Sequence, residues 1–156
     1  EGLKLAFIGD GNNMANSLIV GGLKCGMDVS AACPEGYDPD LAVLDFAKTV
    51  NDAQFQLVRT PAEAVKDADV VVTDVWASMG QEQEKAQREK AFAGYCVDNE
   101  LMKLAHPGCM VQHCLPAHRG EEIAAEVFEA HADEIFEEAE NRLHVQKAVM
   151  YLLMKD

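Results

Sequence analysis

No apolar run in this chain approaches the roughly 20 residues that a membrane-spanning helix needs. The longest, Val70–Val72 and Ala148–Met154, are far shorter. Basic residues are scarce: 13 Lys and Arg stand against 27 Asp and Glu, a net charge of −14 at pH 7. Such a surface repels phosphate backbones and anionic lipid, which argues against nucleic-acid partners and polybasic membrane docking. The five cysteines (Cys25, Cys33, Cys96, Cys109, Cys114) are odd in number and form no C-x-x-C pair. That pattern fits reduced thiols better than a disulfide framework. No charged-then-apolar leader opens the chain, so a cytoplasmic location is expected. Internal repeats, linkers and low-complexity tracts are also lacking. What remains is 156 residues, 49% of them hydrophobic, enough for one domain with a sizeable core.

The pattern along the chain alternates strands with helices. Leu3–Ile8 reads as a strand ending in the turn Gly9-Asp10-Gly11, followed by a helix over about Asn12–Cys25. Val29–Ala32 is a second strand, and Asp38-Pro39 reads as the cap and first position of a helix to about Val50. Phe55–Val58 is a third strand, and Thr60-Pro61-Ala62-Glu63 has the form of a capping box. Asp69–Asp74 carries a Val run suited to a sheet buried on both faces. A polar helix over Gln81–Ala93 reads as a solvated face, and a shorter one covers Asn99–Ala105. Cys109–Leu115 is the fifth strand; Glu121–Phe128 and Ala139–Met154 are the last helices. This order predicts an α/β fold: a doubly wound, Rossmann-like parallel sheet of about five strands with helices on both faces. Ligands of such folds bind beyond the C-terminal strand ends, which directs attention to Gly9–Asn13, Asp74–Gly80 and His113–Gly120.

The first of these segments sits where a dinucleotide fingerprint would, but the third glycine of G-x-G-x-x-G is replaced by Met14. A tight turn explains the glycines; backbone N–H groups at the following helix N-terminus would favour a carboxylate or phosphate. The second places Asp74 at the end of a buried strand, then Trp76, Ser78 and Gly80. A carboxylate there could hold an ammonium group while Ser78 and free N–H groups hold a carboxylate, an arrangement suited to an amino acid. The alternative is a helix-capping loop. The third brings His113 and Cys114 to a strand end, and with His106 and Cys109 their spacing resembles a zinc set. Neighbours in a strand point to opposite faces, which disfavours both joint ligation and a Cys–His nucleophilic pair. The final helix opens with Glu138 and Glu140, carries Arg142, and ends apolar around its whole circumference. Such a helix should be covered on every side, either as the central helix of the domain or by a neighbouring domain or subunit.

Four segments together, GDGNN (Gly9–Asn13), DVWASMGQE (Asp74–Glu82), HCLPAHRGEE (His113–Glu122) and ENRLHVQKAVM (Glu140–Met150), resemble the ornithine-binding, C-terminal domain of ornithine carbamoyltransferases. The resemblance spans nearly the whole chain. It implies carbamoyl transfer from carbamoyl phosphate to L-ornithine, giving L-citrulline and phosphate, without cofactor or metal. It assigns Asn13 and the Met79 backbone to the ornithine carboxylate, and Asp74 and Ser78 to the α-ammonium. Cys114 would lie beside the reacting amine, while His113, Leu115 and Arg142 would face carbamoyl phosphate. Asp74, Cys114 and Arg142 are the expected catalytic groups, and the Leu115-Pro116 bond is expected to be cis. The family also implies a homotrimer at full length. Asn16 departs from the histidine that many members carry there. No S-T-R-T segment, the family's phosphate-binding signature, occurs. The chain is therefore expected to be the second domain alone, lacking the N-terminal carbamoyl-phosphate domain and unable to turn over by itself. The alternative is a non-catalytic amino-acid-binding module that keeps the ornithine site.

Overall fold

The computed structural model describes residues 2–77 and 84–155. Five parallel strands, β1 (Lys4–Ile8), β2 (Asp28–Ala32), β3 (Phe55–Val58), β4 (Val70–Thr73) and β5 (Met110–His113), form one sheet in the order β3-β2-β1-β4-β5. Among the described residues there are seven helices: α1 (Asn13–Lys24), α2 (Leu41–Ala47), α3 (Pro61–Val65), α4 (Lys85–Ala91), α5 (Asn99–Met102), α6 (Ala125–Ala130) and α7 (Ala132–Met154). Alternation along β1 explains why both faces need cover. Leu5 and Phe7 enter a core with α1 residues Ala15 and Ile19, whereas Ala6 and Ile8 enter another with Ala64, Phe92 and Phe128. The expected doubly wound architecture is the one observed.

The chain leaves β1 towards β2 and β3, then returns to place β4 on the other side of β1. That reversal opens a crevice beyond the ends of β1 and β4. Register aligns Ile8 with Thr73, and Thr73 with His113, so the three candidate segments emerge at one level. The turn after β1 is pressed against its surroundings. A Cβ on Gly11 would lie 2.2 Å from the backbone of Asp38 and Pro39, and Gly9 adopts φ +143°. Only glycine fits both positions.

Several helix boundaries differ from the sequence pattern. Asp38 does not cap α2; its carboxylate is held by the Arg59 guanidinium, which keeps it below the usual carboxylate range, and α2 begins after Asp40. Asn16 Oδ1 accepts the Asp40 N–H at 3.0 Å, joining α1 to the start of α2. Thr60 precedes α3, yet its side chain makes no capping hydrogen bond. The last helix starts seven residues earlier than the apolar pattern indicates, at Ala132. The reason lies in β5, an edge strand whose outward N–H groups need acceptors. Glu134 accepts the Val111 N–H at 2.9 Å, and Glu138, one turn on, accepts that of His113 at 3.0 Å. Ile135 is fully buried between them. Beyond this docked portion, residues 139–155 are all exposed, including Leu152, Leu153 and Met154. The last helix is thus not the central one of the domain. No described helix is long and apolar enough to cross a membrane.

Candidate active site

A cleft of about 600 Å³ lies at the C-terminal strand ends and is lined by Asn13, Asp74, Cys114, Leu115 and Arg142 among others. Asp74 is its best-held anion. It follows β4 and is buried, with Oδ1 accepting the Val75 N–H at 2.8 Å and the Cys114 thiol at 3.2 Å. Oδ2 accepts Asn12 Nδ2 at 2.8 Å. Three donors therefore fix the carboxylate without a cation, leaving its charge for a ligand.

Asn12 links this carboxylate to α1. While its Nδ2 reaches Asp74, its Oδ1 caps the helix by accepting the Met14 and Ala15 N–H groups at 2.9 and 3.2 Å. The helix-terminal amides that sequence alone offers to an anion are thus already satisfied at those two positions. Asn13 is exposed and lines the cleft. Asn12, the more deeply engaged of the two, has no assignment from sequence; its place as the N-cap residue directly before α1 is the available signal.

Cys114 is a thiol in this setting. Burial, with the Asp74 charge adding to it, pushes its pKa up to about 12. At pH 8 that leaves about one thiolate in ten thousand, so Cys114 stands in this cleft as a protonated thiol. Iodoacetamide at pH 8 is therefore expected to label exposed Cys25 long before Cys114, as followed by peptide mass spectrometry. Equal labelling rates would contradict this account of the cleft.

His113 requires a correction. Its side chain is fully buried and does not line the cleft. Nε2 lies 3.0 Å from Glu122 Oε1, and Nδ1 accepts the Leu115 N–H at 2.9 Å. A strand side chain preceding an outward-facing Cys114 must point inward, and Glu122 meets it there. Leu115 itself lines the cleft, with φ +56° and a cis bond to Pro116. Arg142, on the exposed part of α7, brings a guanidinium to the cleft. Ser78 and Met79 lie outside the described residues. Lys85, His118 and Glu121 also line the cleft, and nothing in the sequence pattern singles them out; Lys85 Nζ meets Glu121 Oε1 at 2.9 Å.

The zinc-like spacing does not form a centre. The Cys109 thiol donates to the Met110 carbonyl and His106 Nδ1 accepts the Gly108 N–H. Asp74, His113 and Cys114 bring ligand-type atoms within 4.8 Å of one another, but both His113 nitrogens are engaged. Trp76 stacks on Phe92 at 5.8 Å between ring centroids and belongs to the core.

Residues 1–153 match the Asp/Orn binding domain of aspartate/ornithine carbamoyltransferases. The chain belongs to this family. It is 58% identical over 155 residues to an ornithine carbamoyltransferase of Geobacter metallireducens, covering 99% of this chain and 51% of that protein. It is 50% identical to one of Thermococcus kodakarensis, again over 99% of this chain and 50% of the relative. Among solved structures, the anabolic ornithine carbamoyltransferase of Campylobacter jejuni superposes with a TM-score of 0.93 at 44% identity, over 97% of this chain and 51% of that one. The enzyme of Pyrococcus furiosus gives 0.91 at 48% identity, over 97% and 50%. The chain thus spans about half the length of the curated relatives it matches.

Proposed function

We propose that this chain supplies the ornithine half-site of an enzyme that transfers the carbamoyl group of carbamoyl phosphate to L-ornithine. The observation that carries this reading is Asp74: a buried carboxylate fixed by three donors at the mouth of the cleft, with a protonated thiol against it. An ammonium group is the natural counter-ion for such an anion. Asp74 and Ser78 hold the α-ammonium, and Asn13 with the Met79 backbone holds the carboxylate. Cys114, uncharged, lies beside the side-chain amine.

An alkyl ammonium with a pKa near 10.4 is neutral in only roughly one molecule in 2,500 at pH 7. The amine must lose a proton before it can attack, and a desolvated position beside a neutral thiol favours the uncharged form. The nitrogen lone pair then attacks the carbamoyl carbon, an N–C bond forms, and the carbonyl oxygen takes on negative charge. On this reading Arg142, which lines the cleft, stabilises that charge, and the Leu115 main chain, also at the cleft, faces the carbamoyl group. Breaking the C–O bond to phosphate completes the transfer: the first amine proton has passed to solvent before attack, and the departing phosphate accepts the second as citrulline forms.

The carbamoyl-phosphate half lies, on this reading, outside these 156 residues, and the exposed apolar end of α7 is a surface for it to cover. The full-length protein is then a homotrimer working in the cytoplasm. Calorimetric titration of ornithine into the chain, with and without carbamoyl phosphate, tests the division of labour. Weak or absent binding is expected from the chain alone. Citrulline formation is expected once the N-terminal half of a relative is supplied. Tight ornithine binding by the chain alone, with no citrulline after that addition, would overturn the proposal in favour of a non-catalytic binding module.

A further inference from the structure

The His113–Glu122 pair is wholly enclosed, both side chains being fully buried. The carbamoyl-transfer chemistry above assigns Glu122 no role and leaves His113 outside the cleft. We infer that Glu122 and His113 are positioning residues, which fix the backbone of the Leu115 segment where it borders the cleft.

A main-chain hydrogen fixes the tautomer of this pair. The Leu115 N–H can only donate, and it points at His113 Nδ1 at 2.9 Å. Nδ1 must therefore be bare, and the imidazole proton sits on Nε2, where it is donated to Glu122 Oε1 at 3.0 Å. The same carboxylate oxygen accepts the His118 main-chain N–H at 2.6 Å. One carboxylate thus holds the 113–118 loop at two points: at Leu115 through the imidazole, and at His118 directly. Glu122 is itself anchored, because its carbonyl accepts the Val97 N–H at 2.9 Å while Gly120 N–H donates to the Ile123 carbonyl at 2.8 Å.

The loop needs this support. Leu115 adopts φ +56°, a left-handed conformation that a branched side chain disfavours, and such residues persist where their surroundings over-determine them. Without an acceptor at Glu122, His113 is free to move its proton to Nδ1, which would turn the acceptor facing Leu115 N–H into a second donor.

The geometry also supplies a discriminating pair of variants. Among the described residues, Glu122 Oε2 has no hydrogen-bond partner. In Glu122→Gln the amide oxygen can take the place of Oε1 and the NH2 group falls where Oε2 already lacks a partner. Glu122→Met fills similar space but accepts nothing. Nitrogen-15 NMR of the imidazoles in the 156-residue chain at pH 7 should show His113 with a bare Nδ1 and a protonated Nε2. The Gln variant should keep that pattern, whereas the Met variant should lose it and shift the Leu115 amide.

The consequence for rate rests on the proposed carbamoyl transfer. With the carbamoyl-phosphate half supplied, Glu122→Gln should stay within about threefold of the parent kcat. Glu122→Met should lower kcat by roughly 10- to 100-fold with little change in the KM for ornithine. A protonated Nδ1 in the unmodified chain, or a Gln variant as impaired as the Met variant, would overturn the inference. So would a folded Met variant with normal kcat. If the Met variant fails to fold, the unmodified chain and the Gln variant still decide the matter. Absence of carbamoyl transfer by the unmodified assembly would sink the functional reading while leaving the tautomer assignment standing or falling on the NMR alone.

Discussion

Asp74→Asn is expected to weaken ornithine binding by about 2–5 kcal/mol, or roughly 30- to 5,000-fold, the cost of truncating one partner of a buried charge pair. Charge alone does not account for the whole effect. Val75 N–H and the Cys114 thiol both donate to Oδ1, so the new amide must present its oxygen there. Its NH2 group then faces Asn12 Nδ2, which at present donates to Oδ2. Asn12 cannot turn its amide over, because its Oδ1 caps α1 through Met14 and Ala15. Two donors are left opposed, and the single variant loses stability as well as affinity. Exchanging the pair separates the two losses. In Asn12→Asp with Asp74→Asn, the carboxylate introduced before α1 caps the helix as well as asparagine does and also accepts from the new amide. Thermal unfolding of the exchanged variant should return close to that of the parent chain. Calorimetry on the assembled enzyme should show that ornithine affinity does not return, since the anion has moved from the end of β4 to the start of α1. Recovery of affinity along with stability would mean that Asp74 acts on the loop rather than on the ligand.

The sheet and the three segments at its C-terminal ends can be read from sequence because local pattern determines them. The Val70–Val72 run can only be a strand covered on both faces, and the glycines after β1 mark a turn whatever surrounds them. Three features depend instead on partners distant in the chain. Arg88 lies within a run of mixed charges that periodicity assigns to solvent, yet it is buried because Asp10, 78 residues earlier, meets it at the end of β1. His113 carries the character of a ligand-binding residue in any one-dimensional reading. Its burial follows from Glu122, which the bridges of Ile123 to Val97 and Arg119 hold in place and whose carboxylate meets the imidazole at 3.0 Å. The apolar pattern places the start of α7 too late because the first turns are held by carboxylates rather than by an apolar stripe. Glu134 and Glu138 supply acceptors to the edge of β5, a pattern that looks like ordinary surface acidity until the strand edge is known. In each case a long-range polar contact overrides a local expectation, which is where hydrophobic periodicity carries no information.

The same long-range logic makes Arg88→Met the most destabilising single change expected outside the cleft. Arg88 Nη1 donates to Asp10 Oδ2 at 2.7 Å and to the Trp76 carbonyl at 2.8 Å, its Nε meets Glu84 Oε2 at 3.1 Å, and the guanidinium lies 5.1 Å from the centre of the Tyr37 ring. Side-chain exposure is only 8% for Arg88 and 12% for Asp10, so removing the cation leaves a buried carboxylate uncompensated. Such losses cost about 3–5 kcal/mol. The deficit should depend on pH with a definite sign. Burial already holds the Asp10 carboxyl above its usual range despite Arg88, with the charges of Asp74 and Glu84 adding to the effect. A carboxyl with a raised folded-state pKa binds its proton more readily folded than unfolded. Its contribution to stability is therefore complete at low pH and is lost as pH rises through the folded-state value. Without Arg88 that value rises further, so the variant's deficit against the parent should be largest near neutrality and should narrow as Asp10 takes up its proton. Urea unfolding of both proteins at about pH 7.5 and about pH 5 measures the difference directly. Adding Asp10→Asn to Arg88→Met removes the uncompensated charge; it should recover part of the stability and flatten the pH dependence of the remaining deficit. A deficit equal at both pH values and unrelieved by the second substitution would show that Arg88 acts through packing on Tyr37 and its bond to Trp76 rather than by neutralising Asp10.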